Sequence, residues 1–199
     1  LTPVPTAVAH PCDESSLRGA VEAAEMGIIQ PILVGPRARI EAVAAQFQLD
    51  ISGYEIVDAP HSQAAAEAAV QLAREGKAEM LMKGSLHTDE LMAAVVQREK
   101  GLRTSRRISH CFIMDVPAID RVVIITDAAV NIFPTLEDKV HITQNAIDLA
   151  LALGLEEPKV AILSAMETIN PKVQSTIEAA ALCKMAERGQ ITGGLLDGP

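Results

Sequence analysis

The sequence predicts an α/β protein of three layers, α/β/α, in which helices cover both faces of a mostly parallel sheet. Short apolar runs alternate with alanine-rich stretches of helical spacing along the 199 residues. Hydrophobic residues make up 49% of the chain but aromatic residues only 2%, so the core must be aliphatic. Parallel strands are buried on both faces and suit such a core, and a chain of this length can bury one.

Four strand–helix pairs are expected in the first half of the chain. Each strand is a short apolar run bounded by polar residues, and each helix repeats its apolar residues every three or four positions. The expected strands are Thr6–His10, Gln30–Val34, Tyr54–Asp58 and Ala78–Met82. The helices expected to follow them are Ser15–Met26, Arg37–Gln48, His61–Glu75 and Thr88–Glu99.

Local signals mark the ends of several of these helices. Asp13 precedes the first helix, and Thr88 or Asp89 opens the fourth. Their side-chain oxygens can accept hydrogen bonds from the free N–H groups of a first helical turn. Gly76 and Gly101 follow the third and fourth helices, where glycine commonly ends a helix.

The regular alternation of strands and helices changes after residue 101. Two apolar runs, Ile108–Val116 and Val122–Thr126, are separated only by Pro117–Arg121, and so short a connection favours an antiparallel hairpin. Further apolar periodicity predicts the helices Leu136–Leu153 and Lys172–Arg188 and the strands Val160–Ser164 and Gly194–Asp197. The break near residues 101–107 divides the chain into two expected lobes, 1–103 and 104–199.

Charge and cysteine content argue against several classes of protein. A net charge of −9 with few aromatic residues disfavours nucleic-acid binding, which needs clustered cations and stacking rings. No apolar run approaches the roughly 18 residues of a membrane-spanning helix, and no secretory signal opens the chain. Cys12, Cys111 and Cys183 are far apart and fit buried, inert thiols in a reducing cytoplasm. We therefore expect a cytoplasmic protein without membrane or nucleic-acid partners, and we see no ligand spacing for a metal.

Polar segments follow four of the strands, at the sheet edge where open α/β proteins bind ligands. The first is His10–Asp13, for which capping of the next helix is the simpler interpretation. The second is Lys83–Asp89, where a glycine, hydroxyl groups and a helix N-terminus suit an anion, with Lys83 adding positive charge. A capped turn with a surface lysine remains the alternative for this segment.

The other two polar segments belong to the second half. Arg103–His110 carries three arginines, which suit bidentate contact with phosphate, although a solvated basic turn is equally expected. In the other segment, Asp127 and Asn131 follow a very apolar strand. A desolvated Asp127 could act as a base or orient a nucleophile, or it could simply close an Asx turn. Asp197 lies at the end of the last expected strand, and we expect it to face the same cleft as Asp127.

At these residues the sequence resembles the phosphate acetyltransferase/phosphate butyryltransferase family. The matching segments are 8–36, 80–117, 122–154 and 159–199, and they cover nearly the whole chain in the family's order. The segment KGSLHTDELM (83–92) is most similar to the members of the family that are fused behind a MaoC-like enoyl-CoA hydratase domain. The resemblance implies a homodimer with two α/β/α lobes, related to isocitrate and isopropylmalate dehydrogenases, and an active site in the interlobe cleft.

The family moves an acetyl or butyryl group between coenzyme A and inorganic phosphate, without a metal or redox cofactor. The proposed step is direct attack of the CoA thiolate on the acyl phosphate, which needs a base, positive charge and oxyanion donors. By position, the resemblance implies Asp127, Asn131 and His87 as catalytic residues. It likewise implies that the substrates contact Lys83, Gly84, Thr88, Arg103, Ser109 and Asp197.

The sequence departs from the family in two ways. Ala93 stands where many relatives carry an arginine, so Arg103, Arg106 or Arg107 would have to compensate. The family sequence continues beyond the DGP of 197–199 with a further Asp and a phosphate loop, and the chain does not begin with Met. We therefore expect a part of a longer protein. Two alternatives stay open: a non-catalytic CoA-binding or dimerisation module, and a decarboxylating dehydrogenase-like enzyme.

Overall fold

The computed structural model describes residues 2–119 and 121–199. It divides into two compact units, one ending at Thr104 and one beginning at Ser105. Apolar runs form the strands and alanine-rich segments form the helices, as the hydrophobic periodicity predicts, and the central sheet is parallel. The mixed α/β class is confirmed. The identity of these units with the two lobes of the family stays a prediction.

The first unit is built on a four-stranded sheet in the order β3-β2-β1-β4, and every pair in it is parallel. Its strands are β1 (Val4–Ala9), β2 (Ile29–Gly35), β3 (Glu55–Asp58) and β4 (Met80–Lys83). Its helices are α1 (Glu14–Glu25), α2 (Arg37–Phe47), α3 (Ser62–Arg74) and α4 (Thr88–Val95). The register places Ala9 level with Val34 and Lys83, so the polar segments after β1 and β4 begin side by side.

Alternation along β1 explains the two cores of this unit. Ala7 and Ala9 point to one face and pack with residues of α3 and α4, whereas Val8 points to the other and packs with α1 and α2. Small side chains on the first face let α3 approach the sheet closely, because alanine adds little volume. The aliphatic composition is therefore used on both faces of a parallel sheet, as expected.

The second unit has two separate two-stranded sheets in its described residues. Its elements are β5 (Cys111–Asp115), β6 (Val122–Thr126), α5 (Leu136–Ala152), β7 (Lys159–Ala161), α6 (Gln174–Glu187) and β8 (Leu195–Asp197). β5 and β6 pair antiparallel, which confirms the predicted hairpin, and β7 pairs parallel with β8. A small cluster of Ile147, Leu182 and Ile191 forms the buried core.

Several element ends differ from those predicted from the sequence, and in each case hydrogen bonds that the apolar pattern does not reveal account for the difference. Helix α4 ends at Val95 rather than at residue 99, because the N–H of Leu102 returns to the Val95 carbonyl at 2.7 Å. Neither Thr88 nor Asp89 caps this helix. The N-cap is His87, whose backbone N–H donates to the Glu90 carboxylate at 2.9 Å.

Strand β5 begins at Cys111 rather than at Ile108, because the preceding residues hydrogen-bond to α5. Strand β7 is Lys159–Ala161, shorter at its end than predicted, and the Ser164 hydroxyl instead bonds the Ser175 hydroxyl at 2.7 Å. Helix α6 begins two residues later than predicted, since Asn170 holds the Lys172 N–H in a turn. Side chains distant in sequence thus set the limits of β5 and β7, whereas a local turn sets the start of α6.

The three cysteines are free thiols. Cys12 is buried, as predicted, and burial raises the pKa of its thiol. Cys111 and Cys183 are only half-buried, so the expectation of burial was wrong for them. None of the helices in the described ranges has the length and apolarity that crossing a bilayer requires.

Candidate active site

The residues predicted for one site fall in both units. Lys83 ends β4 in the first unit and Gly84, His87 and Thr88 follow it, and Arg103 also belongs to that unit. The second unit holds Ser109, Asp127, Asn131 and Asp197. The predicted site residues therefore form two groups, one in each unit, and different strands and helices position each group.

Gly84 allows the backbone after β4 to lie against the end of β1. Its N–H donates to the Ala9 carbonyl at 2.8 Å, and the Ser85 N–H donates to the His10 carbonyl at 2.9 Å. A Cβ on Gly84 would lie 2.4 Å from the Ala9 oxygen and 2.6 Å from the His10 oxygen. Both distances are far inside van der Waals contact, so close backbone approach, rather than flexibility, requires glycine here.

The Lys83 ammonium closes the turn that follows β4. It donates to the carbonyl of Leu86 at 2.9 Å and to that of Gly84 at 3.3 Å. No carboxylate among the described residues lies within ion-pair distance of it. Lys83 thus forms no salt bridge, although its charge interacts at longer range with Asp13, and it places positive charge at the carboxyl edge of the sheet, where an anion can be attracted.

Carboxylates already occupy the N-terminus of α4. Asp89 and Glu90 both stand in its first turn. Glu90 accepts from the Ser62 hydroxyl at 2.6 Å and from the His87 N–H, and these two bonds lower the pKa of its carboxyl. Negative charge in a first turn satisfies the helix dipole, so the contribution of this terminus to anion binding is smaller than the sequence suggested. Thr88 is exposed beside it.

In the second unit, Asp127 organises the loop after β6. One carboxylate oxygen accepts from the N–H groups of Ala129 at 3.0 Å and Val130 at 2.9 Å, and the other from the N–H and side-chain amide of Asn131. Burial raises the pKa of this carboxyl, but these donors outweigh it and the net pKa lies below 3.8. Asp127 thus closes an Asx turn as an ionised acceptor, and its environment does not make it a stronger base.

Asn131 ties this loop to the segment before β5. Its amide donates to the Ile108 carbonyl at 3.1 Å as well as to Asp127, and its oxygen accepts from the Arg107 Nε. Both amide protons and the carbonyl oxygen are therefore engaged. Asn131 acts here as a cross-link between two segments that are 23 residues apart.

The three arginines of the 103–107 segment do not form one basic patch. Arg107 pairs with Asp138 at 3.0 Å, and its backbone N–H donates to His141 Nδ1 at 2.8 Å. Arg106 pairs with Asp148 on the same helix, α5. Arg103 is exposed and belongs to the first unit. Two of the three charges are thus paired with carboxylates, while both side chains stay about half exposed to solvent. Phosphate contact by this segment stays a prediction.

Ser109 and His110 complete this group. The Ser109 hydroxyl accepts from the Asn145 amide at 2.9 Å. The carbonyl of His110 accepts from the Thr126 hydroxyl at 2.7 Å, and its ring packs edge-on against Phe112 with centroids 4.3 Å apart. Its Nδ1 is buried without a hydrogen-bond partner in the described ranges. The sequence singled out Ser109 and gave no signal for the environment of His110.

Asp197 is not joined to Asp127 by any described contact. Its carboxylate accepts from the N–H of Gly198 at 3.0 Å, and its carbonyl accepts from the N–H of Ile162 at 2.8 Å. A common cleft for Asp197 and Asp127 stays a prediction. No cluster of three histidine, cysteine or acidic side chains suited to a metal occurs among residues 2–119 and 121–199.

Residues 61–199 match the family model described as phosphate acetyl/butaryl transferase. The chain belongs to this family. It is 67% identical over 197 residues to the phosphate acetyltransferase of Rhizobium meliloti, covering 99% of this chain and 62% of that protein. It is 42% identical over 193 residues to the phosphate butyryltransferase of Clostridium acetobutylicum, covering 97% of this chain and 64% of that protein.

Solved structures agree with this assignment to the phosphate acetyl/butyryl transferase family. A branched-chain phosphotransacylase from Enterococcus faecalis superimposes with a TM-score of 0.80 at 28% identity, over 98% of this chain and 68% of that one. The EutD phosphotransacetylase from Staphylococcus aureus shares the fold, with a TM-score of 0.74 at 20% identity. The chain spans about three fifths of the length of the curated relatives that it matches, 62% for the Rhizobium protein.

Ala93, which the resemblance predicts to stand in place of an arginine, lies in an acidic groove. Ala93 is exposed and lines a groove of about 340 Å³ between α3 and α4, together with the carboxylates of Glu67, Asp89 and Glu90. Three like charges repel phosphate, so this groove does not supply the positive charge that an arginine would provide. Arg106 and Arg107 each pair with a carboxylate, which offsets part of the charge with which they could compensate.

Replacing Arg107 with lysine should separate its charge from its geometry. The lysine can still pair with Asp138, but it lacks the Nε–H that meets Asn131, because an ammonium does not reproduce the guanidinium fork. We expect the unfolding free energy to fall by roughly 1 kcal/mol, as for one lost hydrogen bond. Chemical denaturation of the intact protein measures it. An unchanged midpoint would show that Arg107 does not support the 127–131 loop.

Proposed function

We propose that the protein carrying this chain transfers an acetyl or butyryl group between coenzyme A and inorganic phosphate. The observation that carries the proposal is membership of the phosphate acetyl/butyryl transferase family along residues 61–199. Relatives named phosphate acetyltransferase and phosphate butyryltransferase, 67% and 42% identical, support the same activity. They favour acyl transfer over a decarboxylating dehydrogenase and over a non-catalytic module.

In the proposed reaction the CoA thiol gives its proton to a base, and the thiolate attacks the carbonyl carbon of the acyl phosphate. The C–S bond forms, the bond from that carbon to the phosphate oxygen breaks, and phosphate leaves with the electron pair. Positive charge near the phosphate and hydrogen-bond donors near the developing oxyanion lower the barrier. The thioester and inorganic phosphate are the products.

The geometry supports different roles for the predicted residues. Lys83 has no carboxylate partner in the described ranges and is the proposed contact for phosphate, with the exposed Thr88 hydroxyl as a second donor. His87 is the proposed proton acceptor, because an exposed imidazole is the common general base of enzymes. Asp127 and Asn131 are proposed to hold their loop in shape, since their polar atoms are engaged with each other and with neighbours.

Several finer features belong to the same proposal. They are two lobes related to those of isocitrate and isopropylmalate dehydrogenases, a substrate cleft between them, a cytoplasmic homodimer, and catalysis without a metal or redox cofactor. Family membership supports these features. A fused MaoC-like hydratase domain is proposed from the sequence of residues 83–92 alone. Arg103, Ser109 and Asp197 are proposed substrate contacts at their family positions.

The test uses the intact protein with acetyl phosphate or butyryl phosphate and coenzyme A. We expect thioester to accumulate in proportion to enzyme, saturably in both substrates, with a preference for one acyl length. Thioester absorbance measures the rate directly. Absence of thioester above the rate without protein would contradict the proposal, and calorimetric binding of coenzyme A without turnover would favour the non-catalytic module.

A further inference from the structure

His10 has an unusual backbone and is almost completely buried. It directly follows β1 and directly precedes Pro11, with a φ of +55° and 7% of its surface exposed. Few residues other than glycine adopt this left-handed region, and histidine, asparagine and aspartate are the most tolerant. Its carbonyl accepts from the N–H of Cys12 at 2.9 Å and from the N–H of Ser85 at 2.9 Å.

The Ser85 hydroxyl joins His10 from 75 residues away. It lies 2.8 Å from the His10 carbonyl and 3.1 Å from the His10 Nδ1, and it also meets the N–H of Cys12 at 3.2 Å. The His10 carbonyl already accepts from the N–H groups of Cys12 and Ser85, so the Ser85 hydroxyl can give its single proton either to this carbonyl or to the His10 Nδ1. In both arrangements the ring nitrogen and the hydroxyl share one hydrogen bond.

The charged groups around His10 are consistent with a neutral ring. Burial, followed by the charge of Arg39 on α2, lowers the pKa of its imidazole. Glu90 on α4 and Asp13 before α1 act in the opposite direction but do not outweigh them. A neutral imidazole can form the hydrogen bond with the Ser85 hydroxyl in either tautomer.

We propose that His10 is a positioning residue, which acts through Ser85 to fix the turn 83–88 where Lys83 and His87 meet the substrate. This inference rests on the proposed function, because the turn matters only if these two residues act there. Two backbone bonds from Gly84 and Ser85 set the direction of the chain, and the Nδ1–hydroxyl bond prevents the turn from rotating about them. The imidazole itself takes no part in the reaction.

The experiment compares three variants of the intact protein, His10→Asn, His10→Gln and Ser85→Ala. Asparagine tolerates the left-handed backbone and places an amide N–H where Nδ1 was, whereas glutamine extends past Ser85 toward the position of Nε2. Ser85→Ala removes the acceptor. Ser52→Ala is the matched control, because this exposed serine bonds only Asp50.

We expect kcat/KM for acyl phosphate to fall roughly tenfold in His10→Gln and Ser85→Ala, mainly through KM, and to stay within about threefold in His10→Asn and Ser52→Ala. Loss of activity in His10→Asn equal to that in His10→Gln would overturn the proposal, because the ring itself would then be required. Unchanged kcat/KM in Ser85→Ala would also overturn it. If His10→Gln does not fold, the comparison of kcat/KM between Ser85→Ala and His10→Asn tests the proposal instead.

Amide hydrogen exchange of residues 84–88 separates this proposal from the proposed function. Exchange should be faster in Ser85→Ala and His10→Gln and unchanged in His10→Asn, whether or not the wild type transfers acyl groups. A wild type that lacks transferase activity but shows this exchange pattern would refute the proposed function and keep the role of His10 in holding the turn. Equal exchange in all variants would refute that role.

Discussion

Replacing Gly84 with alanine is expected to lower the unfolding free energy by about 2–3 kcal/mol and to reduce acyl transfer by more than tenfold. The new Cβ would meet the Ala9 oxygen at 2.4 Å and the His10 oxygen at 2.6 Å. Both atoms belong to the backbone at the end of β1, which lies inside the sheet, so neither can rotate aside. The turn after β4 must move away and lose its two hydrogen bonds to β1.

Chemical denaturation and the transfer assay on the intact protein measure the two effects of Gly84→Ala. Gly53→Ala is the matched control, because nothing lies within 4 Å of the Cβ it would create and its φ is not in the left-handed region. We expect this control to stay within about 0.5 kcal/mol of the wild type. Equal behaviour of the two variants would show that the turn does not press against β1.

Replacing Asp127 with asparagine is the second change for which we expect a large effect. Within its own loop the carboxylate accepts four hydrogen bonds, two on each oxygen, and the backbone of His110 is a further donor. An amide has a single oxygen, so its NH₂ group must face two of these donors, and both would be left unsatisfied. We expect a loss of about 2–3 kcal/mol in unfolding free energy and more than tenfold in activity, because the 127–131 loop loses its shape.

The control for this change is Asp50→Asn, since Asp50 closes an exposed turn by accepting from the N–H and hydroxyl of Ser52. It should lose much less stability than Asp127→Asn, and activity should not change. If the two aspartates gave equal losses of stability, the four-donor arrangement would have no special importance.

The pH dependence of stability gives an independent check on Asp127. Its pKa in the folded protein lies below the ordinary 3.8, so the ionised carboxylate stabilises the fold fully above pH 3.8. This stabilisation is lost as the pH falls through the lower folded pKa. The difference in unfolding free energy between wild type and Asp127→Asn should therefore be constant near neutrality and shrink in acid. A difference that grows toward acid would contradict this assignment.

The strands and helices could be predicted because hydrophobic periodicity reports burial directly. Val8 and Leu33 lie in continuous apolar runs, which indicate strands buried on both faces. The end of α4 could not be predicted, because it depends on where the Leu102 N–H returns after the helix. The start of β5 likewise depends on His141, which accepts the backbone N–H of Arg107 34 residues away.

The candidate site was predictable only where its residues are close in sequence. Asp127 and Asn131 are four residues apart, and the Asx turn that they form was one of the open interpretations. Gly84 is predicted as a part of the anion site, but the reason for glycine is the backbone of β1, which no local pattern reveals. His10 belongs to a segment that the sequence predicts to cap a helix. Its contact with Ser85 could not be predicted, because that contact exists only once β1 and β4 pair.

We propose above that this chain belongs to an enzyme that exchanges an acyl group between coenzyme A and phosphate. Release of free thiol from acetyl-CoA and butyryl-CoA on addition of inorganic phosphate to the intact protein tests it most directly. We predict phosphate-dependent, saturable release for at least one of the two thioesters, with Gly53→Ala as active as wild type and Gly84→Ala strongly impaired. Thiol release no faster than in buffer, for both thioesters and at saturating phosphate, would contradict the claim.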